Sequence, residues 1–183
     1  RAIEVYRICA ELSLPVLWHC GPVGIELALS RWCCQLKHYW RAVQECPDTT
    51  FILGHSGALQ MELALDLAKH YDNVVMELSS QSLGNIKRIL KEAPGDRIVL
   101  GSDWPFYPQV IQLAKVLMAT ERKPAVRRRV LYENAARFRQ GELMGDEAGE
   151  VLKLNAVTAL KEEQVANPEG VISMVAPRVS PPA

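Results

Sequence analysis

The sequence predicts an α/β fold assembled from repeated β/α units around a parallel sheet. Three observations point there. Short apolar runs alternate with longer helix-like stretches over about residues 1 to 140. The runs lack the apolar/polar alternation of a strand with one wet face, which argues strands covered on both faces. The residues that close successive runs, His19, His55, Ser79 and Asp103, are spaced 36, 24 and 24 residues apart, in keeping with a repeated unit.

The elements follow in order. Ala2 to Leu12 is helix-like, with apolar positions at Ile3, Tyr6, Ala10 and Leu12, and Pro15 interrupts it ahead of the strand-like run Val16-Leu-Trp18. Beyond Gly21-Pro22, a long helix is expected from about Glu26 to Glu45, stopped by Pro47-Asp48. Thr50 to Leu53 is a second strand, and Ala58 to His70, rich in Ala and Leu, a helix. Asn73 to Ser79 is a third strand and Leu83 to Ala93 the helix after it, closed by Pro94-Gly95-Asp96. Arg97 to Leu100 is a fourth strand, followed by helices from about Pro108 to Thr120 and Pro124 to Arg139. A barrel of eight units needs about 30 residues per unit, so these intervals suit a TIM-barrel type (β/α) repeat. An open doubly wound sheet more often carries a Gly-rich phosphate loop after its first strand, and neither G-x-G-x-x-G nor G-x-x-x-x-G-K-[ST] occurs here.

Only four units can be counted, and four strands of a barrel leave two open edges and an uncovered inner face. The chain therefore reads as about half of a larger barrel. That it opens on Arg1, directly into a helix-like stretch, adds the expectation of a segment upstream. From about Gly141 the pattern dissolves, and residues 141 to 183 read as a tail with one weak helix and a disordered Pro-rich end.

Composition excludes several classes. With 183 residues, 49% of them hydrophobic, the chain can bury one sizeable core; zero formal net charge gives no sign of a nucleic-acid partner. Cys9, Cys20, Cys33, Cys34 and Cys46 are odd in number and contain no C-x-x-C pair, so neither a disulfide framework nor a zinc knuckle is indicated, and a reducing cytoplasm fits best. No apolar stretch approaches the roughly 20 residues that span a bilayer.

In a parallel barrel all strand C-termini face one mouth, which brings His19, His55, Ser79 and Asp103 together. Imidazole nitrogen and carboxylate oxygen suit Zn²⁺ or another divalent metal, and such an ion ionises water near neutral pH for attack on a carbonyl.

Five segments carry a resemblance: Pro15-Val-Leu-Trp-His-Cys-Gly21, Phe51-Ile-Leu-Gly-His-Ser-Gly57, Asn73-Val-Val-Met-Glu-Leu-Ser79, Asp96-Arg-Ile-Val-Leu-Gly-Ser-Asp-Trp-Pro105 and Leu131-Tyr-Glu-Asn-Ala-Ala-Arg-Phe138. In this order and at this spacing the chain resembles the C-terminal half of the amidohydrolase superfamily, specifically the amidohydrolase-related (amidohydrolase 2) family of metal-dependent hydrolases and decarboxylases. The resemblance implies four units corresponding to strands five to eight, with His19 and Asp103 as metal ligands and His55 as the residue that assists the water and polarises the carbonyl. Asp103 would also pass the proton of the water to the leaving group. The family draws two further ligands from a His-x-His or Glu-x-His pair on its first strand, and this chain contains neither.

The bland readings stand beside these. A single histidine next to a strand is more often a hydrogen-bonded structural residue than a ligand; it is the conjunction of His19, His55 and Asp103 that favours a site. Asp103 alone would serve as a cap for the turn that follows. Cys20 reads as packing rather than as a nucleophile, and His38 and His70 as structural residues in helices. Arg127-Arg128-Arg129 reads as a solvated helix face. Trp18, Trp104 and Phe106 flank the mouth and serve as pocket lining or core.

The expectation is a metal-dependent hydrolase in which an activated water attacks an amide or lactone carbonyl of a small organic acid. Nonoxidative decarboxylation on the same fold is the alternative. A different class is a truncated, inactive half barrel that needs a homodimer or a complementing N-terminal half, and a further one a small-molecule binding module indifferent to chelators.

Overall fold

The computed structural model describes residues 2–139; the expected division at residue 140 and the tail 141–183 lie outside the described residues. The sheet has four strands, β1 (Val16–His19), β2 (Phe51–Gly54), β3 (Val74–Glu77) and β4 (Ile98–Val99), in the spatial order of the sequence and all parallel. Helices alternate with them: α1 (Ala2–Glu11), α2 (Ala28–Cys33), α3 (Trp40–Glu45), α4 (Met61–His70), α5 (Leu83–Glu92), α6 (Gln109–Ala119), α7 (Pro124–Arg128) and α8 (Asn134–Arg139). The predicted β/α repeat is present, and among the described residues no helix is long and apolar enough to cross a membrane.

Strand side chains alternate between faces, and the register sorts them. Phe51 lies opposite Val74, and Leu53 opposite Met76, which lies opposite Ile98. All five side chains are fully buried, in one core with Leu36, Val43, Ala64, Leu65, Leu67, Ala68, Ile86, Ile89 and Val116. In α4 the buried positions Met61, Ala64, Leu65 and Ala68 follow the i, i+3, i+4, i+7 stripe that seats a helix on a sheet. α5 begins at Ser82, whose hydroxyl accepts from Asn85 N at 3.1 Å, and buries Ile86 and Ile89. Alternation sends Leu17, Ile52 and Val75 to the opposite face, where Leu17 is exposed.

α1 buries no residue completely and is held by its contacts to the sheet. Tyr6 meets Trp18 and Phe51 edge-on, and Trp18 stacks on Phe51 with ring centroids 4.1 Å apart. The Thr49 hydroxyl donates to Tyr6 O at 2.8 Å. Trp18 therefore belongs to the packing against α1 and not to the mouth.

The single helix predicted from Glu26 to Glu45 is three pieces: α2, a 3₁₀ turn at Leu36–His38, and α3. Tertiary contacts break it. Cys34 O accepts Gly21 N at 2.8 Å, Gln35 is extended at φ −67° and ψ 133°, and Leu36 is fully buried with its N–H donating to Gln60 Oε1 at 3.0 Å. The last predicted helix is likewise divided by a π-helical turn at Arg129–Glu133. There Leu100 N donates to Val130 O, and buried Asn134 donates to Gly95 O and Ile98 O at 2.9 and 2.8 Å, tying α8 to β4. The arginine cluster is more than a solvated face. Arg127 binds the carbonyls that end α6, Arg128 pairs with Glu133 at 2.7 Å, and Arg129 is half-buried beside Gly95.

Candidate active site

The tips of the four strands converge as expected. His19 ends β1, His55 follows β2, Ser79 follows β3 and Asp103 follows β4. His19, His55 and Asp103 line one cavity of about 610 Å³, together with Glu26, Leu59, Gln81, Phe106 and Tyr107 among others. Its described lining holds two imidazoles and two carboxylates but no Lys or Arg. Trp104 is exposed and outside this lining, whereas Phe106 is part of it.

His55 is the centre of the network. Its Nε2 lies 3.2 Å from His19 Nδ1, and its Nδ1 lies 2.8 Å from Ser79 Oγ. The Ser79 hydroxyl donates to Glu77 Oε2 at 2.6 Å, and the same carboxylate accepts the backbone N–H of His55 at 2.9 Å and of Ser79 at 2.7 Å. On the other side of the cavity, Ser80 Oγ donates to Asp103 Oδ2 at 3.0 Å. His19 is exposed on its side chain, and its carbonyl accepts the Tyr39 hydroxyl at 2.8 Å.

The backbone under these side chains is strained. His55, Ser80 and Asp103 all sit at left-handed φ, 59°, 59° and 61°, and Ser56 and Ala58 join them at 43° and 48°. Such conformations cost about 1–3 kcal/mol each in non-glycine residues and persist only where surrounding bonds impose them. Here Gln81, almost fully buried, donates to His55 O at 2.5 Å and Ala58 O at 3.3 Å, and accepts from Asn85. Ser56 Oγ donates to Glu77 O at 2.7 Å. Gln112 donates to Leu78 O, and Lys115 donates to Gln81 O at 2.9 Å, so α6 braces the loop after β3.

Cys20 beside His19 is fully buried, and burial, with the Cys34 thiol next to it, pushes its pKa up to about 12. A thiol so held is packing, not a nucleophile. His70 Nδ1 donates to Asp66 O within its own helix, and His38 packs on Trp32; neither lines the cavity. All five cysteines are free.

Among the described residues no group of three or more His, Cys, Asp or Glu side chains is placed to hold a metal ion. The donors that line the cavity have the chemistry of a divalent-metal site, imidazole nitrogen and carboxylate oxygen, but they make up part of a coordination shell. Glu77, Gln81 and Gln112 escaped the sequence reading. For Glu77 a signal existed, since a carboxylate inside an otherwise apolar parallel strand needs donors to satisfy it.

Residues 2–138 match the profile of the amidohydrolase family, in its amidohydrolase 2 group. The match spans well over half of the sequence, and the chain belongs to the amidohydrolase family. Among solved structures, it is similar to an uncharacterized TIM-barrel protein of Bordetella bronchiseptica, at 18% identity and TM-score 0.64, over 77% of this chain and 50% of that one. A 2,6-dihydroxybenzoate decarboxylase from Rhizobium matches at 18% identity and TM-score 0.58, over 75% of this chain and 55% of that one. A dihydroxybenzoic acid decarboxylase from Polaromonas, solved with manganese and the inhibitor 2-nitroresorcinol, matches at 15% identity and TM-score 0.53, over 75% and 53%. At these identities the likeness establishes the fold, a four-stranded part of a TIM-type barrel, and the chain spans about half the length of these structures. No curated protein matches the chain.

Proposed function

We propose that the chain forms strands five to eight, with their helices, of a metal-dependent amidohydrolase acting on a small organic acid. The observation that carries this reading is the meeting of His19, His55 and Asp103 on one cavity from three separate strand tips. His19 and Asp103 would hold a divalent metal, Zn²⁺ or Mn²⁺, with the remaining ligands coming from outside the described residues. When bound, such an ion supplies positive charge that polarises a carbonyl and acidifies water.

The chain's own residues have distinct tasks. His55 directs its Nε2 toward His19 and the cavity, where it orients a water against an amide or lactone carbonyl. Asp103 takes a proton at its carboxylate and returns it to the leaving group. Phe106, Tyr107 and Leu59 provide apolar walls for the body of the substrate, the usual make-up of a small-molecule cleft. A second reading is supported by the two decarboxylases among the similar structures. In it the same cavity accepts an aromatic acid, and the proton goes to the ring carbon that loses carbon dioxide.

The test is product analysis with Mn²⁺ or Zn²⁺ present, over lactones, amides and hydroxylated aromatic acids. Free acid from the carbonyl substrates supports hydrolysis, and carbon dioxide supports the second reading. Turnover that survives in the His55→Asn, Asp103→Asn double variant, or none that responds to metal, would sink both.

A further inference from the structure

We infer that Glu77 and Ser79 are positioning residues that hold His55 in a single tautomer, with its proton on Nδ1 and the lone pair of Nε2 presented to the cavity. The inference deepens the reading of His55 as the residue that orients the water in the proposed function. It rests on counting protons. Glu77 receives three hydrogen bonds within 2.9 Å, from His55 N, Ser79 N and the Ser79 hydroxyl, and an ionised carboxylate offers only acceptors. The one proton of the Ser79 hydroxyl is thereby spent on Glu77 Oε2 at 2.6 Å, so toward His55 the Ser79 oxygen is left with lone pairs. At 2.8 Å from that oxygen, His55 Nδ1 must then be the donor. In the neutral ring Nε2 is the acceptor, and it meets His19 Nδ1 at 3.2 Å on the cavity, so His19 is the donor in that bond.

An independent feature shows that the carboxylate has a dedicated place. A Cβ built on Gly101 would lie 1.7 Å from Glu77 Oε1 and 2.4 Å from its carboxyl carbon. Glu77 is thus seated against a residue without a side chain, on the segment that leads from β4 to Asp103. Ser79 is 2% exposed and His55 9%, so water does not compete freely for these bonds.

The experiment is ¹⁵N NMR of the 183-residue chain with labelled histidine at pH 8, above the ordinary imidazole range. Long-range ¹H–¹⁵N correlations distinguish the Nδ1–H from the Nε2–H ring, and His55 is assigned by loss of its signals in His55→Asn. The wild type is expected to show the Nδ1–H pattern at His55, where free histidine favours the Nε2–H form. Ser79→Thr, which keeps the hydroxyl, should preserve the pattern. Ser79→Ala and Gly101→Ala, the second of which displaces Glu77, should each lose it. An Nε2–H ring in the wild type would overturn the inference without recourse to any variant, as would an unchanged pattern in folded Ser79→Ala. The readout needs no turnover, so a silent enzyme with the expected tautomer would count against the proposed reaction and leave the positioning pair standing.

Discussion

Substituting Gly21 tests whether the loops after β1 and β2 form one rigid mouth. A Cβ on Gly21 would meet backbone alone, Gly57 O at 1.8 Å and Gly57 C at 2.3 Å, and its φ is +80°. Gly24, three residues on, is also left-handed at φ +100°, but its Cβ would meet only Leu59 Cδ1 at an ordinary 3.9 Å. Alanine at either position carries the conformational penalty of about 1–2 kcal/mol. At Gly21 the overlap adds about 1–3 kcal/mol, because a carbonyl has no rotamer by which to withdraw. Gly24→Ala should therefore cost about 1–2 kcal/mol and Gly21→Ala about 2–5 kcal/mol. Urea unfolding followed by tryptophan fluorescence measures both, with unchanged m-values showing that the unfolded states are comparable. Gly21→Ala should also shift the amide resonances of His55 and Ser56, since Gly57 must move. Equal losses for the two variants would refute the close packing of the loops.

Other perturbations bear on the parts that brace the site. Asn134→Ala removes both donors that tie α8 to Gly95 O and Ile98 O, and should cost about 1–3 kcal/mol in thermal or urea unfolding. Gln81→Ala frees the His55 and Ala58 carbonyls and should cost a similar amount, with faster hydrogen exchange confined to residues 55 to 60. Iodoacetamide at pH 8 should modify exposed Cys33 well before buried Cys20, read by peptide mass mapping. The raised Cys20 pKa has a consequence for stability. The folded state keeps the thiol neutral, so that contribution is complete below the ordinary value of 9.0 and is lost as pH rises toward about 12. Cys20→Ala should flatten the alkaline limb of the stability profile, and an unchanged limb would assign it to other groups.

The strands were legible because each is a short apolar run, and the run ends carry the residues that reach the mouth. Thus His19, His55 and Asp103 were marked by position alone, and the structure places all three on one cavity. The helix predicted across Glu26 to Glu45 was misread, since the apolar pattern continues through Cys34 and Gln35 while Gly21 and Gln60 capture the backbone there. Those partners lie 13 and 24 residues away from Cys34 and Leu36 and leave no local trace. Glu77 left a signal, a carboxylate within an apolar strand, but its role was not legible. Its role depends on the register that sets it beside His55 and on the room left by Gly101, both products of the folded sheet. Asn134 stood within a motif, but its work, holding β4 from the π-helical turn, depends on pairing across 36 residues.

The central claim is that the strand tips form a divalent-metal site, and titration of the chain with Mn²⁺ by calorimetry, paired with paramagnetic broadening in NMR spectra, tests it most directly. Because His19 and Asp103 are only part of the shell, one weakly held ion per chain is expected at millimolar Mn²⁺, with broadening centred on His19, His55 and Asp103, and loss of both in the His19→Ala, Asp103→Ala double variant but not in His38→Ala. No binding, or binding that the double variant retains, would contradict it.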